Sequence, residues 1–528
     1  MVLVDVVATG KKGQPIKDLK PEDFVIEENG KKQKIATFTT PDEIAKAAAP
    51  PALPPGIYSN QPEYRAPGGP ITVFVLDAAN SQFSDQAYGR LQMLKYVDEQ
   101  SKSTQRTAIF TLTDGLHVIQ DFTSDPQLLR EAIKRYKPQE PSMSGGGPPP
   151  VSSAAGPGVE RGGGVQTILS GADEALAGFE SVRLSYLLDR RTETTLEGMP
   201  GRKEVIWLTG AFPFDLIPED RNISEAELEN TAHGIQQRSL ATIAGGAVAE
   251  NQRTAHTEEI RKAAAQMSAA QIALYPIDVR GLASGMEVSF NDLANRQRLD
   301  TSAKAVVRMS DISSDHETMR AIATETGGKV YVNQNEIKDG IAIALADNNS
   351  AYTIGYYPED KKWNGRYRSI KVKLNRDGTE ARYRKGYFAV DPMEKNRKGD
   401  QELAEAMRDG IPSTLVGFKA QLKPGEKGKA RVLFLVDAHT LSAEDASGGK
   451  KLNVSFYAGP VGADGKVSGI RTLKVDQAVK PEVYQQILQQ GLMTPLDVDV
   501  PAGVKQLRLA VRDERTGNVG TIDATLAQ

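Results

Sequence analysis

The chain has no cysteine among its 528 residues. That absence excludes disulfides, thiolate metal sites and cysteine nucleophiles. It leaves the compartment open, because a secreted bacterial protein can also lack cysteine. Histidine is scarce: His117, His233, His256, His316 and His439 are scattered, with no pair at a metal spacing such as H-x-x-x-H. No apolar run is long enough to span a bilayer. An excess of one charge is missing too. The 65 basic and 68 acidic residues leave a formal net charge of −3, so nothing global draws the chain to nucleic acid or to an anionic membrane. A G-x-S-x-G elbow, a Walker loop and a dinucleotide fingerprint are all absent.

What is present is globular in bulk, with 39% hydrophobic and 25% charged residues. A chain this long calls for about three domains. It enters directly into the alternating strand VLVDVVA, with no signal segment before Val2. A cytoplasmic protein and one whose targeting segment was replaced by Met1 both stay open. Strands are predicted at Val2–Ala8, Asp23–Glu28 and Lys32–Thr39, the last two flanking Asn29-Gly30, a strong hairpin signal. Three strands cannot close a core alone. The Ala/Pro-rich residues 42–68 read as a linker.

From Ile71 strands alternate with helices. Strands are expected at 71–77, 107–112, 116–122, 204–209, 272–278 and 329–332. Helices are expected near 85–101 (with Leu91, Leu94 and Val97 at helical spacing), 126–136, 165–189, 224–270, 314–326 and 336–346. This alternation implies a doubly wound, mostly parallel sheet over 69–348. The Gly/Pro/Ser-rich stretch 138–164 reads as a flexible insert, and its glycine triplets as spacers. Three further strands, 352–357, 367–374 and 380–387, are inferred to complete 1–45 as a discontinuous sandwich with 350–392. The α/β unit is then an insertion. Residues 393–528 read as a second antiparallel sandwich. The basic run Arg366, Arg368, Lys371 and Lys373 reads as a solvated strand face.

The segment ITVFVLDAANS at 71–81 is a buried strand that delivers Asp77 to the carboxyl edge of the sheet, where open α/β sheets bind ligands. It resembles the first strand of a von Willebrand factor type A domain, which normally ends in D-x-S-x-S and begins a metal-ion-dependent adhesion site. Further segments widen the resemblance to bacterial (Acidobacteria-type) VWFA-related proteins: DLKPEDFVIEENGKKQKI at 18–35, AIFTLTDGLHVIQDFTSD at 108–125, MPGRKEVIWLTGAFP at 199–213, YTIGYYPED at 352–360 and YRKGYFA at 383–389. It covers roughly residues 1–390. The resemblance implies a secreted or periplasmic, non-enzymatic protein that binds a protein or a cell-envelope component, and it supplies no catalytic residues.

The metal site is depleted against that pattern. Asp77 and Ser81 remain, but Ala79 stands where a hydroxyl is expected. After the strand 205–208 the chain reads Thr209-Gly210-Ala211 in place of T-D-G. Thr167 is the candidate for the second loop, and Asp85 and Asp215 are the nearby carboxylates available as substitutes. Such a shell supports at most a weak Mg²⁺ site, about millimolar at best. The competing reading has Asp77 and Ser81 bonding loop backbone and capping the next helix. Asn80, Asp85, Thr209, Gly210 and Asp278 are the other candidates on the ligand edge. Thr113-Asp114-Gly115 also spells T-D-G but reads as a hairpin turn. A hydrolase using the same edge, and a purely structural envelope protein, remain as alternative functions.

Overall fold

The computed structural model describes residues 1–45, 53–61, 64, 70–99, 106–113, 116–139, 201–210, 261, 263–265, 267–281, 312, 315–334, 336–390, 399–408, 413–425, 428–462 and 465–526. The 140–164 part of the Gly/Pro/Ser-rich insert, the expected helix 165–189, most of 224–270, Asp114-Gly115, Thr167 and Asp215 lie outside these residues.

The central sheet has five strands: β1 Ile71–Asp77, β2 Arg106–Leu112, β3 Leu116–Thr123, β4 Lys203–Thr209 and β5 Ile272–Asp278, in the order β5-β4-β1-β2-β3. The β1/β2, β1/β4 and β4/β5 pairs are parallel, and β3 is an antiparallel edge reached by a hairpin with Leu112 opposite Leu116. All seven residues of β1, β2, β4 and β5 are buried, as expected for parallel strands covered on both faces.

Alternation sends successive side chains to two different cores. Val73, Val75, Phe110, Trp207 and Leu274 pack with Ala264, Met267, Met319 and Ile322. Phe74, Leu76, Ile109, Ile206 and Tyr275 pack against three helices on the other face: α1 Phe83–Glu99, α2 Pro126–Arg135 and α3 Ile337–Asn348. The Asp125 carboxylate caps α2 by accepting from Gln127 N at 2.8 Å. Of the three apolar residues expected on the buried face of α1, Val97 is in the core, Leu94 packs against it and Leu91 does not. Met93 and Val97, one helical turn apart, enter the core, whereas Leu91 is 48% exposed. Another expected strand, 329–332, shrinks to a single parallel bridge of Tyr331 with Ile277.

On either side of this unit in sequence, strands from residues 2–39 and 351–388 share two antiparallel sheets. One has the order Thr379–Arg382, Val2–Gly10, Ala351–Tyr356, Ile35–Thr39, and the other Gly386–Phe388, Tyr367–Leu374, Phe24–Glu28, Lys31–Gln33. Val4, Val6, Ile26, Tyr352 and Ile370 meet in the core between them. Asn29 and Gly30 adopt φ of 47° and 79°, the backbone that a tight two-residue hairpin requires. The single strand expected over 380–387 is divided between the two sheets. Gly386 lets the chain cross, because a Cβ there would run into Tyr367 and the Arg368 carbonyl. Arg368 also departs from the solvated face. It points inward and donates to Glu28 and to the Asp360 carbonyl, because the strand's alternation places it beside Ile370 and Val372.

The C-terminal strands form two further sheets around Phe418, Phe434, Phe456 and Leu509. Ile57–Ser59, within the stretch read as a linker, adds an edge strand to Phe418–Pro424. Asn60 secures it. Its amide donates to the carbonyls of Ser413 (3.0 Å) and Val416 (2.9 Å) and accepts from Phe418 N at 2.8 Å. Satisfying these buried backbone groups holds the segment in place.

Candidate functional site

At the carboxyl edge the chain leaves β1 through Ala78 and Ala79, whose amides both donate to the Leu112 carbonyl at 2.9 Å. This fixes the loop beneath Asp77, which is 1% exposed. One carboxylate oxygen, Oδ1, accepts from Asn80 N (2.9 Å) and Asn80 Nδ2 (3.0 Å). The other, Oδ2, accepts from Asn80 Nδ2 (3.0 Å), Trp207 Nε1 (3.2 Å) and Thr209 Oγ1 (2.8 Å). Burial pushes the Asp77 carboxyl above its ordinary pKa, and the donors from Asn80, Thr209 and Trp207 oppose that rise without cancelling it.

Ser81 faces β4, and its Oγ accepts from Gly210 N at 2.7 Å. Asp85, in the first turn of α1, lies against the same spot: a Cβ on Gly210 would stand 3.1 Å from Asp85 Oδ2. Gln86 ties the loop to the end of α2. Its Nε2 donates to the Ser81 carbonyl (2.8 Å) and the Gln139 carbonyl (2.8 Å), and its Oε1 accepts from Tyr136 Oη (2.8 Å). The structure therefore brings together Asp77, Asn80, Ser81, Asp85, Thr209 and Gly210.

Asp278 ends β5 two strands away, about 10 Å at ordinary strand spacing. Its Oδ1 accepts from Arg280 N (2.8 Å) and Arg280 Nε (3.0 Å), and its Oδ2 lies 2.6 Å from His316 Nε2. Arg280 reaches on to Asp315 at 2.8 Å. Burial pushes the Asp278 carboxyl up, but the hydrogen bonds from His316 and Arg280 and the Arg280 charge outweigh it and hold the pKa below the ordinary value. The pattern of histidines gave no sign of His316, and its partner lies 38 residues upstream. Trp207 was equally hidden, because it reads as one more apolar residue of a buried strand. The one local hint was Asp278-Val279-Arg280 at a strand end, a spacing that lets the guanidinium fold back onto the carboxylate.

Among the described residues, the first corner does not present a divalent cation with an oxygen-rich shell. A carboxylate offers about four acceptor positions, and those of Asp77 are filled by N–H and O–H donors. Ser81 Oγ already accepts a backbone amide. Position 210 supplies no carboxylate, and among the described residues no three His, Asp or Glu side chains form a set that could hold a metal. The Asn80 amide donates to both carboxylate oxygens.

No protein-family profile matches the chain, and no curated protein matches its sequence. Among solved structures, the aerotolerance-related membrane protein of Bacteroides fragilis is similar over 53% of this chain and 99% of its own, at 14% identity and a TM-score of 0.24. A point mutant of the PilB minor pilin of Streptococcus sanguinis is similar over 53% and 60%, at 12% identity and 0.26. Three N-terminal domains of the type V pili tip protein Mfa5 of Porphyromonas gingivalis are similar over 91% and 86%, at 11% identity and 0.23. No helix among the described residues is long and apolar enough to cross a membrane.

Proposed function

We propose that the chain is a non-enzymatic, exported bacterial protein that binds another protein or a cell-envelope component through the carboxyl edge of its central sheet, without a bridging metal ion. On this reading 69–348 is a von Willebrand factor type A-like unit set into a sandwich of 1–45 and 350–392, and 393–528 is a C-terminal unit joined by the strand Ile57–Ser59. The observation that carries the reading is the Asp77 corner. It lies where a doubly wound sheet presents ligands, its loop is held rigid by Gln86, and its carboxylate is satisfied by Asn80, Trp207 and Thr209. A loop whose carboxylate is already paired, with Asn80 Oδ1 left without a partner among the described residues, suits recognition by shape and hydrogen bonding, which costs little ordering on contact.

The test uses the purified full chain immobilised against fractionated bacterial envelope proteins. Binding is expected to persist in EDTA and to weaken roughly tenfold or more for Asn80→Lys, as when a central contact is lost. Binding that EDTA abolishes would overturn the metal-free reading. Calorimetry with Mg²⁺, Mn²⁺ and Ca²⁺ provides the independent check, with no stoichiometric heat expected.

One observation favours a second reading, as an enzyme. His316 Nε2 and the Asp278 carboxylate stand 2.6 Å apart, the contact by which a base is oriented. Against it, the same carboxylate is occupied by Arg280. Turnover of an ester or amide substrate that His316→Ala abolishes would establish that reading.

A further inference from the structure

The opposite, amino-terminal edge of the central sheet meets the first sandwich through polar contacts. Arg384 NH1 donates to the Ser268 carbonyl at 3.0 Å, Gln271 Nε2 to Asp5 Oδ2 at 3.3 Å, and Lys385 N to the Glu325 carbonyl at 3.1 Å. Deeper in, Arg202 and Glu204 enter β4 with 5% and 0% exposure, and Asp347, at the end of α3, has 2%. Arg202 NH2 donates to Tyr275 Oη at 3.1 Å, Glu204 Oε2 accepts from Thr72 Oγ1 at 3.4 Å, and Asp347 Oδ1 pairs with Arg382 NH2 of the sandwich at 2.6 Å.

These partners use only part of what each group offers. Arg202 Nε, Arg382 NH1 and Tyr331 Oη are buried with no hydrogen-bond partner among the described residues, and so are Glu204 Oε1, Asp347 Oδ2 and Asn348 Oδ1. The groups belong together. Glu204 feels the charges of Arg202, Asp347 and Arg382, and the Tyr331 hydroxyl those of Asp347, Arg382 and Glu204. Asn348 reaches the Thr72 hydroxyl that Glu204 binds. The unused atoms comprise donors and acceptors in balance. An anion placed among them would meet the Asp347 carboxylate, and a cation would meet Arg202 and Arg382. An apolar molecule would leave all of them bare. Water both donates and accepts, and buried polar groups that protein cannot pair are satisfied this way in folded proteins.

We propose that a cluster of ordered, buried water molecules bridges Arg202, Glu204 and Asp347 to Arg382, and so joins the α/β unit to the first sandwich.

A crystal structure of the full chain, at a resolution that shows individual waters, tests this. The expected result is water density within hydrogen-bond distance of Glu204 Oε1, Asp347 Oδ2 and Arg382 NH1. A direct Glu204–Asp347 contact, a bound ion, or a side chain from elsewhere in the chain filling the space would overturn it. Oxygen-17 relaxation dispersion in solution offers a second measurement. Long-lived waters should be fewer in the Glu204→Leu variant than in the parent, and an unchanged count in a folded variant contradicts the assignment. If that variant fails to fold, the parent's density still decides.

Discussion

Asp77 and Asp278 each close a fully buried strand of the same sheet edge, yet they are accommodated in opposite ways. Around Asp77 the donors are neutral: an amide, an indole, a hydroxyl and a backbone N–H. Burial wins there, and the carboxyl is pushed up. Around Asp278 a guanidinium folds back from two residues on, with an imidazole on the other oxygen. The hydrogen bonds from His316 and Arg280, with the Arg280 charge, win there, and the carboxyl is held down. Burial alone therefore does not decide how a strand-end aspartate behaves. The donors it meets, and the charge that Arg280 adds among them, decide as well.

The largest expected effect separates the two corners by mutation. Asp278→Ala leaves Arg280 and His316 without their shared partner and is expected to cost about 3–5 kcal/mol, as for other broken buried pairs. Asp77→Ala strands neutral donors only and should cost less, about 1–3 kcal/mol. Urea unfolding of both variants measures the difference, and equal losses would break the comparison.

The next effect is in pH. The pKa of Asp278 is depressed on folding, so its stabilisation is present above the ordinary value of 3.8 and is lost as pH falls below it. For Asp77 the pKa is raised, so its contribution is full below 3.8 and declines as pH rises toward the folded value. In melting curves across acid pH, Asp278→Asn should flatten the low-pH limb and Asp77→Asn the limb above 3.8. A parallel shift of the whole profile by either variant would contradict the assignment.

The smallest effect lies beside Asp77. Ser81→Ala frees the buried Gly210 N–H from its 2.7 Å acceptor and should cost about 1 kcal/mol, with no change in the pH profile. A loss as large as that of Asp278→Ala would mean that the Ser81 contact holds the whole corner together.

The two corners also differ in how far they could be read in advance. Asp77, Asn80, Ser81, Thr209 and Gly210 sit on strand ends that the runs of β-branched residues mark out, so their meeting follows once the strands are parallel and adjacent. Asp278 was legible as a strand end but its partner His316 was not, because that contact depends on where helix 315–326 lands. Leu91 was misplaced for a related reason. Several faces of α1 carry apolar residues, and packing against the sheet kept Val97 and Leu94 and took Met93 in place of Leu91.

Neighbouring residues along the chain are enough to specify the buried strands, the alternation that makes the sheet doubly wound, the Asn29-Gly30 hairpin and the Asp125 cap. Each is set by steric and hydrogen-bonding preferences within a few residues. Packing of distant segments was needed for Ile57–Ser59 to join Phe418–Pro424, for Trp207 and Asn80 to saturate Asp77 together, and for Arg382 to reach Asp347. Those contacts bring together groups far apart along the chain, and their geometry exists only after the sheets and helices have packed.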